Sequence, residues 1–333
     1  MSPVPVARAA ILGLGSHAPS GVVTNADLER IVDTSDAWIV ERSGIRERRR
    51  AAPQEATSDL ALPAIRAALA DAGCRPEEVE AIYVGTATPD TPFPATACVL
   101  QAALGCIGGA AFDLTAACSG FLYSLAMAHD SVASGRYRRV LCVGAETLSR
   151  ITNYTDRGTC ILFGDAAGAA LVGPPDAPGA HRILHTRLYA DGRQIALLNQ
   201  PAGGSRRPPS RETVDANEHT IHMEGREVFK FAVRAIPDAI EQVLKDTGLK
   251  GGDIRWLVPH QMNARIMQAA GERMGIPMDR VMSNIERYGN TSSASIPLVL
   301  DEYRKAGKVA KGDLLLMVTL GGGFTWATAL VEW

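Results

Sequence analysis

The strongest constraint on this chain is a spacing that occurs twice. In the first half an alanine-rich amphipathic run, Leu60 to Ala72, stops at Gly73 and leads to the apolar strand Ala81 to Val84. In the second half a helical run from Phe229 to Asp246 stops at Gly248 and leads to Trp256-Leu257-Val258. The next unit recurs as well. The helix Gly120 to Ala133 ends at Gly135 and is followed by basic residues, the strand Val140 to Val143 and Gly144; the helix Ala294 to Lys305 ends at Gly307 and is followed by Lys308, Lys311, the strand Leu314 to Val318 and a glycine turn. Helix stops at glycine and apolar strands in one repeated order predict an α/β chain of two duplicated halves. The cluster Gly173-Pro174-Pro175-Asp176-Ala177-Pro178-Gly179 puts the boundary between residues 1–178 and 179–333.

Other stretches are read by composition and local signals. Ala9 to Leu14 reads as a buried strand; the Gly13-Leu14-Gly15-Ser16-His17-Ala18 that ends it lacks the helix a dinucleotide site needs, because Pro19, Gly21 and Val22-Val23 intervene. Asn25 to Glu29 reads as a short capped helix, Ser35 to Val40 as the start of another, Arg42 through Arg50 as a solvated charged face, and Ala202 to Asn217 as a surface loop. With 46% hydrophobic and 21% charged residues and a formal net charge of -2, nothing in the balance favours nucleic acid or a membrane as partner. The six cysteines show no C-x-x-C pair or nearby histidine at ligand spacing, which argues against a metal site and a disulfide scaffold. Met1-Ser2-Pro3-Val4-Pro5 does not open a signal peptide, and the expected compartment is the cytoplasm.

The candidate site starts from Phe112-Asp113-Leu114-Thr115-Ala116-Ala117-Cys118-Ser119-Gly120-Phe121, an apolar run that turns through small residues into a helix. A thiol there faces unpaired backbone N–H groups and the positive end of the helix dipole, so Cys118 is the candidate nucleophile, biased toward thiolate. The distance from Cys118 to Gly135 equals that from Asn290 to Gly307, making Asn290 the counterpart of Cys118, while His260 ends its strand where Gly85-Thr86 ends the equivalent one. Thiol, imidazole and carboxamide serve two chemistries. In a papain-like hydrolase the histidine deprotonates the cysteine and the asparagine orients the histidine. Alternatively, His260 and Asn290 both donate to one substrate oxygen and stabilise an enolate, with a second oxyanion hole from backbone N–H groups of Cys118 and the turn Gly321-Gly322-Gly323.

Several ordered motifs closely resemble β-ketoacyl-acyl-carrier-protein synthase III, of the thiolase superfamily. They are Ala116-Ala117-Cys118-Ser119-Gly120-Phe121, Val258-Pro259-His260-Gln261-Met262-Asn263, Tyr288-Gly289-Asn290-Thr291-Ser292 and Gly321-Gly322-Gly323-Phe324-Thr325-Trp326, joined by Asp36 to Arg46 and Thr155 to Cys160. The resemblance implies a thiolase-like five-layered α-β-α-β-α fold, a homodimer, and a decarboxylative Claisen condensation of an acyl-CoA primer with malonyl-acyl-carrier protein, initiating fatty acid synthesis. It implies no cofactor, acyl-CoA being a substrate. Carried over by motif, Cys118 takes the acyl group, His260 and Asn290 stabilise the enolate, and the N–H groups of Cys118 and Gly322 form the oxyanion hole. Trp38 and Arg157 resemble the pair that sandwiches the CoA adenine, and Arg42 and Asn263 the polar contacts along the pantetheine tunnel. Phe93 resembles the residue that crosses to the partner subunit's acyl pocket, and Lys230 with Arg265 the patch that docks the acidic carrier.

Two departures qualify the carry-over. Glu272 stands where many relatives carry lysine, which bears on the strength of carrier docking, and Ser119 replaces a more usual alanine or threonine as a small residue able to cap the helix. The alternative reading is an acyltransferase of the same fold in specialised metabolism, handing the acyl group to another nucleophile. A degenerate, non-catalytic carrier-binding subunit is a third, against which all three reactive residues stand.

Overall fold

A computed structural model describes residues 7–333; the first six, including the whole of the Met1-to-Pro5 stretch read for a signal peptide, lie outside it. Nine strands form one sheet in the order Trp256–Pro259, Leu314–Gly321, Thr325–Glu332, His181–Ala190, Ala9–His17, Ala166–Gly173, Val140–Glu146, Ala81–Gly85, Ala110–Leu114. The duplication is explicit in that order. Three parallel strands at one outer end, and two at the other, are each followed by two antiparallel ones, and the halves join where Ala9–Ile11 pairs antiparallel with His181–Ile183. The one missing member is vestigial: in the place equivalent to Ala110–Leu114, only Val281 bridges, in parallel, to Leu257.

Helices complete the layers. Thr57–Asp71 and Thr96–Leu104 cover the outer face of the first half, and Gly225–Thr247 with Ala264–Arg273 cover the outer face of the second. Gly120–Ala133 and Ser295–Lys305 lie between the halves, and Gly120–Ala133 touches strands of both. The result is the five-layered α-β-α-β-α thiolase-like architecture. Val140–Glu146 and Ala166–Gly173 are buried at every residue, as strands covered on both faces must be, and so read as unbroken apolar or small runs. Around the central helices Phe121, Leu122, Leu125, Ile296, Val299 and Leu300 pack with strand residues of both halves.

Three readings need correction. The run from Arg42 to Arg50 is a solvated face only in part: Arg42, Arg46 and Arg50 are exposed, but Glu47–Arg50 is a strand paired with Gly21–Thr24, and Arg48 is buried, donating to the carbonyls of Val23 and Ile161 and to Asn25 Oδ1. An arginine whose guanidinium meets three acceptors is stable inside, whatever its neighbours suggest. The insertion 202–217 contains the helix Arg211–Asp215, capped by Ser210, where the sequence suggests only loop. Ser119 does not cap the following helix through its side chain; its hydroxyl donates to the Thr325 carbonyl at 2.9 Å, tying the Cys118 turn to the other half.

Candidate active site

The Cys118 turn begins where the strand Ala110–Leu114 ends. Ala117 takes φ +45°, and a short 3-10 turn over Ala117–Ser119 passes the chain into the helix Gly120–Ala133. A left-handed conformation costs a non-glycine residue about 1–2 kcal/mol, so the surroundings must hold it. The second half repeats the device: Ser292 takes φ +48°, Ser292–Ala294 is a 3-10 turn, and Ser295–Lys305 is the helix. By this junction the structural twin of Cys118 is Ser293, not Asn290. The second helix has 11 residues against 14, one turn fewer, so counting back from the two glycine stops overshoots the junction by a turn.

The end of the strand Leu314–Gly321 locks the Cys118 turn in place. A Cβ on Gly321 would lie 2.7 Å from the Cys118 nitrogen, so only glycine lets the two backbones meet. Thr325 Oγ1 donates to the Ala116 carbonyl at 2.8 Å from the same side.

Cys118, His260 and Asn290 line one cavity of about 110 Å³, walled by Phe163, Phe229 and Phe324. Sequence-distant residues therefore do converge. Cys118 is half-buried, whereas His260 and Asn290 are buried. His260 Nδ1 is 2.7 Å from Ser295 Oγ, and Nε2 is buried with no partner. Asn290 Oδ1 accepts the Ser292 N–H at 2.8 Å, which fixes the carboxamide.

Electrostatics correct the expectation of a thiolate. Burial pushes the Cys118 thiol up to about 12; the Ser292 hydroxyl opposes it, more strongly than the nearby Glu146 carboxylate adds to it, and the Cys118 and Gly322 N–H groups oppose it by less. Burial alone pushes His260 down to about 3. A papain-like ion pair needs the opposite shifts, a depressed thiol beside a protonated imidazole. At neutral pH this site holds a neutral thiol and a neutral imidazole, the second suited to hydrogen bonding rather than to carrying charge.

A wider mouth of about 640 Å³ lies beyond, bordered by Trp38, Arg42, Arg157, Lys230, Asn263 and Arg265. Asn263 lines both spaces, yet its amide is engaged locally, donating to the Arg42 carbonyl and accepting from the Arg265 N–H. Arg157 sits 5.2 Å from the centre of the Trp38 ring and Arg42 sits 4.8 Å from it. A flat ring held between two planes needs two contacts of about 3.5 Å, so Arg157 must swing away to admit one. Lys230 is paired with Glu227 at 2.7 Å, and Arg265 lies 6.0 Å from the Phe229 ring centre. Glu272 is two turns along the helix from Arg265 and is engaged by Gln268. Phe93 is 87% exposed and lines neither cavity at the cysteine.

Residues missed by sequence reading are Glu146, Ser292, Ser295 and, at the mouth, Arg226. Glu146 had a signal: it is a lone carboxylate closing the otherwise apolar Val140–Glu146 strand. The helices Gly225–Thr247 and Ala264–Arg273 place basic residues at the mouth, and no helix among the described residues is long and apolar enough to cross a membrane.

A cysteine on a helix-entry turn, facing an imidazole and a carboxamide across a narrow cavity in a duplicated five-layered fold, defines a thiolase-like condensing enzyme. Comparisons with known proteins agree. Models of the C-terminal and central regions of 3-oxoacyl-[acyl-carrier-protein] synthase III match residues 244–333 and 112–192. The chain is 52% identical over 325 residues to β-ketoacyl-[acyl-carrier-protein] synthase III of Caldanaerobacter subterraneus subsp. tengcongensis, covering 98% of each chain. It is 48% identical to the enzyme of that name from Clostridioides difficile, again covering 98% of each. The crystal structure of 3-oxoacyl-[acyl-carrier-protein] synthase III from Aquifex aeolicus superposes with a TM-score of 0.90 at 44% identity, covering 98% of this chain and 100% of that one. The chain belongs to the β-ketoacyl-acyl-carrier-protein synthase III family, and is a ketosynthase of the acyltransferase class.

Proposed function

We propose that the chain joins an acyl primer, delivered by acyl-CoA and held as a thioester on Cys118, to malonyl-acyl-carrier protein with loss of carbon dioxide. The β-ketoacyl product starts fatty acid synthesis. The observation that carries this reading is that Cys118, His260 and Asn290 line one cavity with a neutral imidazole. Nε2 of His260 and the amide of Asn290 donate to the malonyl thioester carbonyl and stabilise the enolate formed as carbon dioxide leaves. That enolate attacks the acyl-Cys118 carbonyl, whose oxygen takes the N–H groups of Cys118 and Gly322. An apolar cavity of about 380 Å³ adjoining Cys118, walled by Leu148, Ile151, Leu198 and Ile221, receives the acyl chain.

The same reading assigns the mouth to CoA, with Trp38 and Arg157 on the adenine and Arg42 and Asn263 along the arm, and assigns Lys230 and Arg265 to the acidic carrier. No separate cofactor takes part. The enzyme works as a homodimer: Ala110–Leu114 is an outer strand with one edge unpaired among the described residues, and Phe93 projects outward to complete the partner's acyl pocket. Six free cysteines suit a reducing cytoplasm. Transfer to another nucleophile, the specialised-metabolism alternative, is less favoured by relatives near 50% identity over the full chain that bear the β-ketoacyl synthase name.

The test is incubation with labelled acyl-CoA, then malonyl-acyl-carrier protein. Label is expected on Cys118 as a thioester, followed by carbon dioxide release and a β-ketoacyl carrier. A labelled Cys118 that releases its acyl group without consuming malonyl carrier would overturn the reading.

A further inference from the structure

Beneath the cysteine turn lies a buried carboxylate that the condensation chemistry above does not use. Glu146 is fully buried, and five neutral donors reach its two oxygens. Thr86 Oγ1, the Ala87 N–H and Thr88 Oγ1 serve Oε2 at 3.3, 3.0 and 2.8 Å; Ser292 Oγ and Ser293 Oγ serve Oε1 at 2.9 and 3.0 Å. No cation is among them. A fully buried carboxylate without a counter-ion is costly, and burial duly raises its proton affinity. A group so placed has stability reasons to be an amide or an apolar residue, so its chemistry invites another use.

Its position supplies one. Ser292 donates its only hydroxyl proton to Glu146 while its oxygen lies beside the Cys118 thiol, and both residues border the acyl cavity. The thiol is neutral at rest, so acyl transfer must move its proton somewhere as the sulfur attacks. His260 is a poor receiver: it is held at about 3 and its Nδ1 faces Ser295.

The geometry points to a proton relay in which Ser292 takes the Cys118 proton while passing its own to Glu146. As the Cys118 sulfur bonds to the thioester carbonyl carbon of the donor, S–H is cleaved toward Ser292 Oγ and the Ser292 proton moves to Glu146 Oε1. When the tetrahedral intermediate collapses and the donor's C–S bond breaks, the departing thiolate takes a proton back along the same path, leaving Glu146 and Ser292 as they began. Ser292 is the hydroxyl beside the thiol, and Glu146 acts through it. Ser293 Oγ lies 3.0 Å from the same oxygen and 2.8 Å from the Gly85 carbonyl, its single proton shared between the two acceptors.

This relay rests on Cys118 accepting an acyl group, so the experiment has one arm independent of any acyl donor. Iodoacetamide alkylation of the Cys118 peptide is followed by mass spectrometry against pH in the full-length enzyme and in Glu146→Gln, Ser292→Ala and Ser292→Thr. Besides Cys118, the ionisable groups facing the thiol are Glu146, whose proton affinity burial raises, and His260, which burial keeps neutral. Removing the Glu146 charge moves the alkylation profile to lower pH; removing the Ser292 hydroxyl, which favours thiolate, moves it to higher pH. Acyl transfer from acyl-CoA nevertheless falls in both, by about 100-fold for loss of a proton-transfer partner, and Ser292→Thr restores much of it. A role in packing alone predicts no such opposed shifts. Alanine fits the backbone at 292, because its twin Ala117 already adopts the same φ, so Ser292→Ala tests the relay even if Glu146→Gln does not fold. Wild-type acyl transfer in folded Ser292→Ala, or profiles that shift the same way in the Glu146 and Ser292 variants, would overturn the relay. Failure of wild-type Cys118 to acylate at all, with the opposed alkylation shifts intact, would instead count against the function proposed above.

Discussion

Nδ1 of His260 lies 2.7 Å from the hydroxyl oxygen of Ser295, and the ring's other nitrogen is left buried and unpartnered. Ser295 is the first residue of a helix between the two halves, so its hydroxyl is held by the fold rather than by solvent. A hydroxyl that donates to Nδ1 places the ring proton on Nε2, the atom proposed to meet the malonyl thioester oxygen. Ser295→Ala is expected to slow malonyl decarboxylation by about tenfold, the worth of one hydrogen bond near 1.4 kcal/mol, while leaving acylation of Cys118 unchanged. Nitrogen-15 NMR of labelled histidine checks the cause: Nε2 should be protonated in the wild type and the two tautomers mixed in the variant.

The pH response follows from the same ring. Burial holds the folded imidazole neutral down to about 3, whereas the unfolded ring takes a proton near 6.5. Between those values the unfolded state binds the extra proton, so His260 lowers stability progressively as pH falls from 6.5 toward 3 and contributes no pH dependence above 6.5. Two measurements check this. Malonyl decarboxylation should show no inflection near pH 6.5, and urea unfolding of His260→Gln should lose less stability than the wild type on acidification below that point.

The repeated spacing was readable because helix stops and apolar strands are local features, set by glycine and by burial on both faces. Cys118 and His260 were readable because each sits where an element of that repeat begins or ends, whereas Asn290 was readable through its Tyr288-to-Ser292 motif. Strand order was not, since register depends on partners far along the chain. The pairing of Cys118 with Asn290 by distance failed for a related reason: a helix can lose a whole turn without disturbing its glycine stop, and only the φ values of Ala117 and Ser292 reveal where the turns correspond. The direction of the thiol's pKa was also out of reach. A helix N-terminus is visible in sequence, but the depth of the surrounding protein and the Glu146 carboxylate below it are not.

Arg48 shows how far a charge run can mislead, and its burial gives a stability prediction. The guanidinium satisfies two carbonyls and Asn25 Oδ1, linking the Gly21–Thr24 strand to the segment carrying Ile161. Burial lowers its pKa to about 10, so the charge persists at neutral pH. Arg48→Met retains the stem but strands three acceptors, and is expected to cost about 3 kcal/mol, read as a lower midpoint in denaturant unfolding. Arg30→Met, on an exposed residue, serves as the control and should shift the midpoint little.

Trp38 carries the last prediction, because the gap between its indole and Arg157 is too narrow for a flat ring. Arg42 and Arg157 both lie against the indole, and Arg157 is also held by the Asp33 carbonyl at 3.1 Å. In the CoA complex proposed above, an adenine that enters must displace Arg157 from the indole and regain an equivalent contact with it, so the two side chains would contribute to CoA binding as a unit rather than separately. Trp38→Ala and Arg157→Ala are each expected to weaken CoA binding by about tenfold, consistent with stacking and cation–π contacts of about 1–2 kcal/mol, with the double variant little worse than either single one. Calorimetric titration with CoA gives the coupling directly. Because neither side chain borders the cavity at Cys118, alkylation of that thiol should be unaffected in all three variants. Fully additive losses would mean that indole and guanidinium bind separate parts of the ligand, and the adenine would then have to lie elsewhere along the mouth.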